Sequence, residues 1–146
     1  MLKIVLDTNV LIDAADDSFH FANRIVDLVI AGKIEAYANR GTARENKLLA
    51  NRKITDAEHL QKLNHFFDLV KPVEDIRIAA VADDPEDNKI LASALAAQAD
   101  FLVTSDQHLL QLGQAAQTQI VRPNEFWSRW EEEGDGWRNW LQNFVK

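Results

Sequence analysis

The chain has 146 residues, 47% hydrophobic and 27% charged, with 23 Asp and Glu against 16 Lys and Arg and a formal charge of −7. That length suits one domain with a sizeable core, and the balance of apolar and charged residues excludes a disordered chain. The absence of cysteine excludes disulfide scaffolds, thiolate zinc sites, iron–sulfur clusters and Cys nucleophiles, and the acidic balance argues against binding nucleic acid by bulk charge while leaving a local basic patch open.

The chain opens MLKIVLDTNVLIDAADD, where Asp7 and Asp13 interrupt any signal-like apolar region. No apolar run approaches the roughly 18–20 residues of a membrane span. A cytoplasmic protein without membrane contact is expected. Residues 2–6 (LKIVL) form an apolar run that stops at Asp7, the pattern of a buried strand. Residues 19–31 place Phe21, Ile25, Leu28 and Val29 at helical spacing, with Gly32 as the stop. Residues 33–38 (KIEAYA) alternate as a second strand, and a helix follows through Leu49. A further helix over 56–70 is ended by Pro72. Residues 76–82 read as strand or extended chain. Pro85 to Gln98 is an alanine-rich helix, 101–104 (FLVT) a buried strand, and 119–122 (QIVR) another. Strands alternating with helices predict an α/β fold on a mostly parallel sheet, whose ligand site lies outside the carboxyl ends of the strands.

That rule selects among the acids. Asp7 follows the first strand directly, and Asp106 follows FLVT as Thr104-Ser105-Asp106. Either could simply cap a turn. Asp84-Pro85-Glu86-Asp87 has the form of a helix start, with Asp84 as N-cap and Pro85 in the first turn. Asp87 differs from its neighbours because Ile90, Leu91 and Ala94 lie three, four and seven residues on, so it heads the apolar stripe. A carboxylate there loses hydration unless a cation or hydrogen bonds compensate. Glu45 leads Leu48 and Leu49 in the same manner. Thr42-x-x-Glu45 also fits a capping box, whereas capping by Asn39 would put Glu45 in the second turn. Clustered carboxylates repel one another unless a cation sits among them. Without Cys, and with His20, His59, His65 and His108 at no metal-ligand spacing, oxygen-ligated Mg²⁺ or Mn²⁺ is the fitting ion.

Asp7-Thr8-Asn9-Val10-Leu11, then Asp84-Pro85-Glu86-Asp87-Asn88 before the Ala-rich helix, then Ala99-Asp100-Phe101-Leu102-Val103-Thr104-Ser105-Asp106, resemble in order and spacing the motifs of PIN-domain ribonucleases. Glu45 matches the second acidic position by its place on the helix after strand two, the loosest of the matches. The resemblance covers about residues 1–125 and is nearest to the toxins of toxin–antitoxin systems, VapC-type ones among them. It implies a three-layer α/β/α sandwich with four to five strands and a divalent-metal-dependent endoribonuclease hydrolysing RNA phosphodiester bonds. Asp7, Glu45, Asp87 and Asp106 would be its catalytic and metal-binding residues, with Asn9 and Thr104 orienting them. It also implies an RNA substrate, with an antitoxin protein and a second copy of the chain as candidate partners. The alternative is a catalytically inactive PIN-like protein-interaction module, since a fold alone does not license a function. A receiver-like phosphotransfer domain fits poorly: no second acid adjoins Asp7, and Asp106 rather than Lys follows the late strand.

Residues 72–110 carry eight acids against Arg77 and Lys89, whereas 41–71 carry six basic residues against four acids. Within the basic stretch, Arg44 and Lys47 share a helix face and are candidate contacts for RNA phosphates, against the plainer reading of a solvated helix surface. All four Trp fall in 127–140. Residues 126–146 are therefore expected to form a Trp-rich helical extension packed on the 1–125 domain, with a partner-docking surface as the other reading.

Overall fold

The structure, a computed structural model, describes residues 1–13, 21–74, 76, 78 and 84–132. In chain order the elements are β1 (Lys3–Leu6), α1 (Thr8–Asp13), α2 (Phe21–Ile30), β2 (Glu35–Asn39), α3 (Arg40–Lys53), α4 (Ala57–Leu69), β3 (Lys71–Val73), α5 (Pro85–Ala97), β4 (Phe101–Val103), α6 (Gln107–Leu112), β5 (Gln114–Ala115) and β6 (Thr118–Val121). A further helix, α7, runs over 123–132 within the described residues. Among the described residues six strands lie in the order β3-β2-β1-β4-β6-β5, all parallel except the β5–β6 pair.

Period-two alternation divides the strands between two cores. Ile4 and Leu6, Phe101 and Val103, and Val121 face one layer with α1, α2, α4 and α7, while Val5, Leu102 and Ile120 face α5 and α6 on the other. The result is the expected three-layer sandwich. β1 is central, and the chain leaves it first towards β2 and later returns to its other side as β4. The strand order thus reverses between β1 and β4, which opens a crevice at their carboxyl ends.

Two short strands exceed the four to five expected. β3 carries Pro72 and is an edge strand, a sheet position where a missing N–H is tolerated; β5 is two residues long and pairs with β6. Neither has enough residues to set up a hydrophobic period. The six-residue helices α1 and α6 escape periodicity for the same reason. α3 continues four residues beyond the expected end at Leu49, to Lys53. Gly32, at φ +74°, does end the turn after α2, with Lys33 N–H donating to the Leu28 carbonyl at 2.9 Å. Of the run over 76–82 only Ile76 and Ile78 are described, and neither is in a strand.

Phe126 is fully buried and meets the Phe101 ring edge-on at 5.3 Å between centroids. Trp127 and Trp130 pack against the same core. Trp137 and Trp140 lie outside the described residues. Among the described residues no helix is long and apolar enough to cross a membrane.

Candidate functional site

β1 stops at Leu6, and the next residue turns the chain into α1: Asp7 N–H still donates to the Val103 carbonyl of β4 at 3.0 Å, while its own carbonyl accepts from Val10 N–H at 3.1 Å. The Asp7 side chain is thereby fixed at the crevice between β1 and β4. On the other wall, β4 ends at Val103 and Asp106 becomes the N-cap of α6, its Oδ1 accepting His108 N–H at 2.8 Å. Asp84 caps α5 through Glu86 N–H at 2.9 Å. One turn later Asp87 points inward, 8% exposed, at the head of the buried stripe of Ile90, Leu91 and Ala94, while Glu86 turns to solvent and pairs with Lys89 at 3.2 Å.

These segments meet in a cleft of about 250 Å³ lined by Asp7, Asp84, Asp87 and Asp106 together with Thr8, Asn9, Thr42 and Lys89. Asp7, Asp87 and Asp106, which the sequence singles out from different parts of the chain, are thus brought together. The electrostatics follow from crowding. Burial raises the Asp7 carboxyl above its ordinary range, with Asp106 adding to the rise and the Thr104 hydroxyl and the Thr8 and Asn9 N–H groups opposing it. Asp87 is raised too, chiefly by burial and then by the charges of Asp106, Asp84 and Asp7, against a small opposing influence of His108.

Thr104 joins the two walls. It is fully buried, its hydroxyl donates to Asp7 Oδ2 at 2.8 Å, and the hydroxyl oxygen, Oγ1, accepts Asp106 N–H at 3.0 Å. One side chain therefore ties the carboxylate that follows β1 to the backbone of the aspartate that follows β4. Asn9 lines the cleft from an exposed position.

Glu45 stands apart from the four aspartates. Asn39 caps α3, accepting from Gly41 and Thr42 N–H at 2.8 and 3.4 Å. Glu45 accordingly falls in the second turn, and Thr42 is not its capping-box partner. The apolar stripe it was expected to lead is also absent, since Leu48 is 59% exposed. Glu45 lines a neighbouring cleft of about 190 Å³ with Glu74 and Ser93, and that cleft shares Thr42 and Lys89 with the aspartate one. Among the described residues no group of three or more His, Asp or Glu side chains is drawn together to ligating separation. The donor chemistry suits a hard cation, because five carboxylates, the four aspartates and Glu86, border one cleft and two of them, Asp7 and Asp87, are destabilised by burial and like charge.

Arg44 and Lys47 are exposed on α3, with Lys47 Nζ 3.9 Å from Asp68 of α4. Asp100 belongs to the opposite end of the sheet, where its Oδ2 accepts Lys3 N–H at 2.9 Å. One residue behind the cleft, bonded to Thr8 of its lining, escapes the sequence reading. Asn46 is 6% exposed and its Oδ1 accepts the Thr8 hydroxyl at 2.5 Å, tying α3 to the start of α1. The available signal was the Ala43, Asn46 and Ala50 stripe, in which one polar residue sits at the spacing of the buried face.

No curated protein matches the chain. Among solved structures it is similar to a chain of the VapBC2 complex from Rickettsia felis, crystallised with a DNA fragment from its promoter, at 14% identity and a TM-score of 0.54, over 82% of this chain and 97% of that one. That likeness concerns the fold. The family model for the PIN domain matches residues 3–108, the span that contains both walls of the cleft and all four of its aspartates, and the chain therefore belongs to the PIN-domain family.

Proposed function

We propose that the chain is a divalent-metal-dependent endoribonuclease. The observation that carries this reading is the convergence of Asp7, Asp87 and Asp106 on one cleft at the carboxyl ends of β1 and β4, two of them raised by burial and mutual repulsion. Asp7, Asp87 and Asp106 would hold Mg²⁺ or Mn²⁺, with Glu45 approaching from the adjoining cleft. When bound, such an ion supplies an activated water and offsets charge on the leaving oxygen. The chain's own part is to fix the carboxylates. Thr104 locks Asp7 to the Asp106 backbone, the α5 cap aims Asp87 inward, and Asn9 borders the same opening. Arg44 and Lys47, on the helix beside the cleft, would receive RNA phosphates.

The fold likeness to the VapBC2 chain supports reading the protein as the toxin of a toxin–antitoxin pair, acting in the cytoplasm, with an antitoxin as its partner and a second copy of the chain as a candidate one. The test is cleavage of mixed RNAs by purified protein with Mn²⁺, with and without chelator. Asp7→Asn should fold and lose at least about 100-fold in rate, more than the roughly 10- to 100-fold that supporting groups of metal sites command. Full activity in that variant would refute the assignment.

The open spacing of the acids favours one other reading, a PIN-domain interaction module without catalysis. Titration with Mn²⁺ separates the two, because a site that binds the ion raises the melting temperature by linkage and an inactive one leaves it unchanged.

A further inference from the structure

The inner face of α3 presents Ala43, Asn46 and Ala50. Two of these side chains are single methyl groups, which give few knobs to fix how the helix is rotated about its axis. At the surface the Asn51 amide donates to Asn64 Oδ1 of α4 at 3.2 Å; in the interior Asn46 ties the helix to α1. Its Oδ1 accepts the Thr8 hydroxyl across 38 residues of sequence, and Leu6, Leu11 and Phe66 border the same pocket. Asn46 is buried beside these apolar side chains, so loss of the bond would leave its amide oxygen without a ready substitute. At one end of this link Thr8 adjoins Asp7 and lines the aspartate cleft. At the other, Asn46 adjoins Glu45, and successive residues of an α-helix are rigidly related by a 1.5 Å rise and a turn of about 100°. Thr42, which borders both clefts, lies one turn before Glu45 and moves with it.

We propose that Asn46 is a positioning residue of the cleft: through its bond to Thr8 it sets the rotation of α3 and hence the approach of Glu45 to Asp7, Asp87 and Asp106. The inference rests on the metal-dependent nuclease reading above. A single buried Asn fixing helix register is the best-attested use of a buried polar group.

The test is a mutant cycle on the full chain, measuring RNA cleavage against Mn²⁺ concentration. Asn46→Ala and Thr8→Val should each lower kcat about 10-fold or more with little change in KM, within the range for groups that orient metal ligands, and should raise the Mn²⁺ needed for half-maximal rate. Thr8→Ser, which keeps the donor, should retain activity. In a Glu45→Gln background neither Asn46→Ala nor Thr8→Val should cost anything further, because their effect runs through Glu45. Undiminished losses in that background, or no loss in the native one, would overturn the inference while leaving the nuclease reading intact. If Asn46→Ala gives no folded protein by circular dichroism, Thr8→Val against Thr8→Ser makes the same comparison. Wild-type protein without Mn²⁺-stimulated cleavage would overturn both readings together.

Discussion

Thr104→Val exchanges a hydroxyl for a methyl of nearly the same size at a fully buried position. Two hydrogen bonds disappear. The bond to Asp7 Oδ2 has a carboxylate acceptor and is worth about 1.5–3 kcal/mol, and the one from Asp106 N–H is a neutral bond worth about 0.5–1.5 kcal/mol. The sum is a loss of about 2–4.5 kcal/mol at neutral pH. At about 2–4 °C per kcal/mol for a chain of this size, the melting temperature should fall by about 4–18 °C. The pH dependence has a definite sign. Asp7 is raised by burial, while the Thr104 hydroxyl opposes the rise by favouring the carboxylate. Without that hydroxyl Asp7 moves higher still, so the variant suffers most above the Asp7 titration and least below 3.8, where the group is protonated in both folded and unfolded chains. Thermal melts of the wild type, Thr104→Val and Thr104→Ser between about pH 3 and pH 8 check this. The gap between wild type and the Val variant should narrow towards acid, and Ser should lie near wild type. A loss under about 1 kcal/mol at neutral pH, or a Ser variant as unstable as Val, would refute the role given to this hydroxyl.

Asp7 and Asp87 are both raised in the folded chain, so their contribution to stability is fully present below the ordinary carboxylate pKa and is lost as pH rises through the raised values. Metal-free protein should therefore melt lower at pH 7 than this pair would allow if protonated, Asp7→Asn should raise the neutral-pH melting temperature, and Mn²⁺ at about 100 times its dissociation constant should add about 2.7 kcal/mol to the wild type alone. A destabilised Asp7→Asn, or equal Mn²⁺ shifts in both proteins, would count against the site. Phe126→Ala removes a fully buried ring and should cost about 3–5 kcal/mol by chemical denaturation; a loss under 1 kcal/mol would mean that α7 is not part of the core. Replacing Arg44 and Lys47 together with Ala should reduce the slope of log affinity for single-stranded RNA against log salt by about 1.4, two phosphate contacts at about 0.7 each, and an unchanged slope would remove them from the RNA surface.

The aspartates were readable because strand ends are readable. LKIVL stops at Asp7 and FLV is followed closely by Asp106, and an α/β sheet gathers such positions at one edge whatever its details. Asp87 was readable from the phase of the α5 stripe, which the buried Ile90, Leu91 and Ala94 bear out. α3 resisted the same reasoning. Its Leu48 is exposed while Asn46 is buried: the face it presents inward carries small side chains and a polar residue bonded to Thr8, and Asn51 bonds to Asn64 of α4, none of which a hydrophobic period in the helix itself would show. β3 and β5 were likewise invisible, being too short to show a period and held by neighbours already in place.

By itself the sequence determined the layer class, the central strands and which aspartates face a common edge, since these follow from local periodicity and from where apolar runs stop. The tertiary structure alone decided that Thr104 bridges Asp7 and Asp106, that Glu45 occupies the adjoining cleft, and that Asn46 links α3 to Thr8. Each of these depends on atoms from segments distant in the chain meeting within hydrogen-bond reach or across a shared cleft, a coincidence that packing creates and no local pattern encodes.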